Sequence, residues 1–100
     1  MIKHIVFFKF KVTTDEADMG ELERKLSRLP DLIGEIREYQ LGRDIVHSDR
    51  SYDFALVSAF ESLEALDRYK THPEHVKVQK LIGEICDHTR SVDFMLKAGV

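Results

Sequence analysis

Two stretches of this chain have no face that suits water. In "IKHIVFFKFK" (residues 2–11) side chains alternate as on a strand, with Ile2, Val6, Phe8 and Phe10 on one face and Ile5 and Phe7 on the other. "YDFALVSAF" (residues 52–60) repeats the pattern, setting Phe54, Leu56 and Phe60 against Ala55, Val57 and Ala59. A sheet built from these strands must be covered on both sides.

The segments between them supply one cover. Thr13 followed by Glu16 has the spacing of a capping box, and Met19, Leu22, Leu26, Leu29 and Ile33 recur at helical intervals, so the first helix is expected to end near Leu29-Pro30. "EIREYQLGRDI" (residues 35–45) reads as a more polar strand at or near an edge, with Gly42 a bend or bulge. Ser62 caps a short helix carrying Leu63, Leu66 and Tyr69. Pro73 interrupts it, and a new helix runs through Val78, Leu81, Ile82 and Ile85. "TRSVDFML" (residues 89–96) closes the chain as a fourth strand. The order strand, helix, strand, strand, helix, strand predicts an α+β fold, a four-stranded antiparallel sheet with the helices on one face.

The other face then carries Ile5, Phe7, Ala55 and Val57, an apolar patch too large to leave in water. A second copy packed sheet to sheet covers it as a dimeric barrel; loops or a chain end are the alternative. A chain of 100 residues, 43% hydrophobic and 33% charged, is read as one domain over residues 1–100, and a core of that size gains from oligomerising.

Charge and cysteine usage exclude several classes of function. A net charge of −3 with no Lys/Arg cluster argues against nucleic acid as a partner. The run Ile5 to Phe8 is too short for a membrane span or a leader, and no targeting segment is visible. The single Cys86 cannot close an internal disulfide; it reads as a small buried group on an apolar helix face, consistent with a reducing cytoplasm. Phosphate loops, dinucleotide fingerprints and nucleophile elbows are absent, so no cofactor is expected. "HPEH" (residues 72–75) spaces two histidines for a shared helix face, but only His4 offers a third ligand, and no metal is expected.

The chemistry concentrates around Pro73. Proline fits the first turn of a helix, with Thr71 or His72 as cap, so the break is a corner. From His75 the apolar positions Val78, Ile82 and Ile85 follow at helical spacing, which turns the imidazole inward. Leu63, Leu66 and Tyr69 form a similar stripe across the corner. His4 lies in register with Val6 and Phe8. An inward tyrosine or histidine is often a core residue with a backbone partner; two polar tips meeting amid apolar surroundings also make a ligand pocket. Tyr69 and His75 are therefore the candidate pair, with His4, Val6, Phe8, Phe54, Leu56, Val78 and Ile82 as candidate ligand-binding residues. His72 is assigned to capping or solvent. Asp53 and Asp93 are each able to orient His4 through a hydrogen bond, depending on strand register; the alternative is that both sit near strand ends or at the subunit contact.

Taken in order, "MIKHIVFFKFK", "LGRD", "FESLEALDRYKTHPEHVK" and "SVDF" resemble the stress-responsive A/B barrel (Dabb) domain over nearly the whole chain. That resemblance implies a ferredoxin-like fold dimerising into a barrel. The family includes a polyketide cyclase working through a tyrosine and a histidine that match Tyr69 and His75, with His4 matching a pocket histidine. The implied mechanism is aldol closure, His75 acting as general base and Tyr69 holding the enolate oxygen. The chain departs from that cyclase at Phe54, where a histidine would stand, and in the polar Thr89, Ser91 and Asp93 of its last strand. Three functions are carried forward: a binder of a small, partly apolar molecule; a cyclase or isomerase; and a structural stress protein without pocket chemistry.

Overall fold

A computed structural model describes residues 1–97. Its elements are β1 (Ile2–Phe10), α1 (Glu16–Leu32), β2 (Glu38–Arg43), β3 (Phe54–Phe60), α2 (Leu63–Thr71), α3 (Pro73–Ile85) and β4 (Cys86–Met95). The strands form one antiparallel sheet in the order β2-β3-β1-β4, so β2 is an edge as expected and β4 is the other.

The alternation along β1 and β3 sorts their side chains as the sequence demands. On the helix-covered face Val6 lies opposite Leu56 and Phe8 opposite Phe54. Phe8, Phe54, Leu56 and Phe60 are buried there with Leu22, Leu26, Leu29 and Ile33 from α1 and Leu66 and Tyr69 from α2. Each such side chain contributes roughly 1.5–3 kcal/mol by leaving water. On the opposite face Ala59 is covered by the stem of Lys3, whose Nζ lies 3.4 Å from Glu38. Further along that face Phe7, Val92 and Phe94 are 40%, 56% and 43% exposed. Tyr52 leans on Phe7 and His88 there, with ring centroids 5.7 and 5.6 Å away.

Four local expectations are corrected. The cap of α1 is Asp15, paired with Asp18, because Thr14 N–H closes a turn onto the Lys11 carbonyl at 3.0 Å and so delays the helix past Thr13. The helix passes Pro30 and stops at Leu32; the next turn still closes through Ile33 N–H to Leu29 O at 2.8 Å, and buried Leu29 and Ile33 hold the last turn in place. Gly42 pairs regularly with Ala55, and the sheet's irregularity lies instead between Lys9 and Phe10 against β4. Cys86 is not on a helix face: it caps α3 and begins β4 without a loop, and burial pushes its thiol up to about 11.

The capping box gives a direct stability test. Asp15→Ala leaves the Asp18 N–H of α1 without its acceptor and is expected to lower stability by about 1 kcal/mol, read as a lower urea midpoint with unchanged slope.

Candidate functional site

The corner at Pro73 is built by one residue serving two helices. His72 N–H donates to the Tyr69 carbonyl at 3.2 Å to end α2, and its Nδ1 accepts from Glu74 N–H at 3.1 Å to start α3, with Pro73 in the first turn where its missing N–H costs nothing. His72 is thus the cap. The turn brings His75 back against the end of α2, where its Nδ1 lies 3.0 Å from the Lys70 carbonyl. A carbonyl only accepts, so Nδ1 carries the hydrogen and the neutral ring keeps its lone pair on Nε2.

Tyr69 lies beside it. The two ring centroids are 4.3 Å apart, and Tyr69 also packs on Phe60 at 4.8 Å and meets the edge of His4 at 6.3 Å. Burial pushes the Tyr69 phenol up to about 12, so it is a protonated donor near neutrality. Burial also holds His75 below the ordinary imidazole value, with the bond to Lys70 opposing the shift. The pair therefore combines a neutral base with an O–H donor.

Both line a hollow of about 170 Å³ between the sheet and the helices. Val6, Phe8 and Leu56 form its floor and Ile82 part of its roof, so four of the apolar candidates meet Tyr69 and His75 here. The other three stand apart. Phe54 and Val78 are 2% and 4% exposed within the core and do not line the hollow; Phe54 packs instead on Phe8 and Phe10, with ring centroids 5.4 and 6.3 Å away. His4 is set behind the Tyr69 ring, and its Nδ1 is bonded to Asp93, its direct partner across the β1–β4 ladder. That register settles which carboxylate orients His4. Asp53 has another task, accepting from Phe10 N–H at 2.8 Å and pairing with Lys9 at 3.6 Å to tie the end of β1 to the start of β3.

Leu26, Gln79, Thr89 and Ser91 complete the lining and were not among the candidates. Leu26 comes from a helix distant in sequence. Thr89 and Ser91 share a face with Asp93, and their polarity on an otherwise covered sheet was the available signal. Tyr39 on β2 also belongs nearby: its hydroxyl is buried without a hydrogen-bond partner, and burial first, then the neighbouring Tyr69, raises its ionisation.

A larger depression of about 410 Å³ sits at the far end of β1, beside Lys9, Arg43, Asp44 and Asp53. Several of its charges are engaged: Arg43 pairs with Glu16 and Glu23 of α1, Lys9 with Asp53, and Asp44 accepts from the His47 N–H. Among the described residues no group of three or more His, Cys, Asp or Glu converges to hold a metal ion, and no helix is long and apolar enough to cross a membrane.

The depressed ionisation of His75 sets a pH dependence. Between its folded value and the ordinary 6.5, the unfolded chain holds a proton that the folded one does not. The stability contributed by the neutral ring is therefore full above 6.5 and is lost as pH falls through that window. His75→Gln is expected to flatten the fall in thermal midpoint on acidification relative to the unaltered protein; equal pH profiles would contradict it.

Comparison with known proteins agrees with the fold. The chain matches the stress responsive A/B barrel domain over residues 2–96. It is 34% identical over 98 residues to a stress-response A/B barrel domain-containing protein of Arabidopsis thaliana, covering 95% of this chain but only 36% of that protein. It is 29% identical to olivetolic acid cyclase of Cannabis sativa over 77 residues, 75% of this chain and 76% of the cyclase. Among solved structures, a dimeric ferredoxin-like protein from Thermobifida fusca superposes with a TM-score of 0.87 at 28% identity, covering 95% of this chain and 90% of the other. With its ferredoxin-like sheet, helical corner and a match from residue 2 to 96, the chain belongs to the stress responsive A/B barrel domain family.

Proposed function

We propose that the protein is a homodimer that binds a small, partly apolar molecule in the hollow beside Tyr69 and His75. One observation carries the reading: two polar rings 4.3 Å apart, one tied through Nδ1 to a backbone carbonyl, flank unfilled space above an apolar floor. A core tyrosine and histidine serving structure alone have no need of that space. The exposed Phe7, Val92 and Phe94, together with the dimeric state of the Thermobifida fusca protein, support pairing through the open sheet face.

Enzymatic turnover is the second reading, favoured by the tautomer. With Nδ1–H held by Lys70, Nε2 of His75 is a fixed base for an acidic C–H, and the Tyr69 hydroxyl donates to the enolate oxygen that results. The relation to olivetolic acid cyclase makes a cyclisation or isomerisation of an enolisable carbonyl compound the reaction to look for.

Binding is tested by titrating small carbonyl compounds while following NMR shifts of the Val6, Leu56 and Ile82 methyl groups. His75→Ala is expected to weaken the effect roughly tenfold without loss of fold; unchanged binding contradicts the assignment. For turnover, short poly-β-keto thioesters whose acyl part closes to a single six-membered ring are incubated with the protein. Product formation is expected to fall roughly a hundredfold in Tyr69→Phe, and product that survives that change removes the phenol from the mechanism.

A further inference from the structure

The walls of the hollow narrow what it accepts. Its interior is apolar, and Phe8, Leu26 and Leu56 are at most 2% exposed. Its mouth lies between α3 and the edge strand β4, where Gln79 and Ser91 are exposed and Thr89 is half-buried. Each of these three rim side chains both donates and accepts hydrogen bonds. None of the described lining residues is Lys, Arg, Asp or Glu, and His75 is held towards its neutral form. An anion drawn inside would lose its hydration and meet no cation.

Size adds a second limit. A dry cavity of about 150 Å³ holds a benzene ring, so about 170 Å³ encloses one six-membered ring with its nearest substituents, and an extended acyl chain would have to trail through the mouth into water. Ligand sites that enclose larger molecules begin near 300 Å³.

We infer that the hollow takes a neutral carbonyl compound of about one ring in size, carrying a second oxygen function. Its apolar body rests on Val6, Leu56 and Ile82, one carbonyl accepts from the Tyr69 hydroxyl with the acidic C–H beside it towards Nε2 of His75, and the second oxygen bonds the hydroxyls of Thr89 and Ser91 at the mouth. This inference rests on the binding reading above and adds charge, size and orientation to it. The hydroxyls of Thr89 and Ser91 are the specificity-determining groups, since they are what a purely apolar β4 wall would lack.

The test uses the full chain at neutral pH and four probes: acetylacetone, benzoylacetone, acetoacetate and 2,4-dodecanedione. Methyl shifts of Val6, Leu56 and Ile82 report occupancy. Acetylacetone and benzoylacetone are expected to bind at least about tenfold more tightly than acetoacetate, which carries a charge, and than the long-chain diketone. The double change Thr89→Val with Ser91→Ala is expected to weaken benzoylacetone roughly tenfold, the loss of two modest hydrogen bonds, with the thermal midpoint unchanged. Equal binding of acetoacetate or 2,4-dodecanedione, or full affinity in the double variant, overturns the inference while the ligand site itself stands. No shift with any of the four probes overturns both.

Discussion

Tyr69→Ala is expected to cost about 3–5 kcal/mol of folding stability, whereas Tyr69→Phe is expected to cost under about 1.5 kcal/mol. The ring is 1% exposed and is wedged between Phe60, His4 and His75, so truncation leaves a cavity that three packed neighbours cannot close. For a domain whose total stability lies at roughly 5–15 kcal/mol, the alanine variant sits close to unfolding. Phenylalanine keeps the ring and removes only the hydroxyl, so its effect falls on ligand affinity or turnover. Urea unfolding of the pair separates the two roles of one residue. A loss below about 1 kcal/mol in Tyr69→Ala would mean that the corner is held without the ring and that the core is not centred on it.

Val92→Asp is expected to dissociate the proposed sheet-to-sheet dimer. Val92 is 56% exposed on the open face of β4, opposite Ile5, so in an isolated subunit the change costs no more than a difference in strand propensity, about 1 kcal/mol. In a sheet-to-sheet dimer the two faces meet about 10 Å apart, and each subunit would bury a carboxylate against apolar neighbours. The effective cost of several kcal/mol per ion raises the dissociation constant by about a thousandfold or more. Sedimentation equilibrium reads the result. A variant that remains as tightly dimeric as the unaltered protein rules out this face as the contact.

The architecture was legible because it rests on alternation and periodicity, which local sequence carries. Residues 2–10 and 54–60 show both faces of their strands outright, and the corner at Pro73 follows from what proline forbids. Boundaries were less legible where a longer contact decided them. Thr13 has cap chemistry, but the turn closed by Thr14 moves the cap to Asp15; Pro30 disfavours a helix locally, but buried Leu29 and Ile33 carry α1 past it. Cys86 reads as helical by spacing, and only the close packing of α3 against β4 makes it a cap.

The site divides in the same way. Tyr69, His75, Val6, Phe8, Leu56 and Ile82 lie on inward faces that alternation and helical spacing reveal. Leu26, Gln79, Thr89 and Ser91 enter through the packing of three elements, and the side of the corner on which the hollow opens is a tertiary fact. His4 illustrates the limit: its face is evident from alternation, yet its partner Asp93 depends on a ladder of residues far apart in sequence.

Tyr69 and His75 must form one wall of an occupiable hollow for any of the proposed chemistry to stand. A crystal structure of the protein soaked with benzoylacetone tests this most directly. The ligand's ring is expected over Val6 and Leu56, with one carbonyl oxygen within hydrogen-bond distance of the Tyr69 hydroxyl and Nδ1 of His75 still bonded to Lys70. A hollow filled by Leu26 and Ile82, or a His75 ring swung out to solvent, would contradict it.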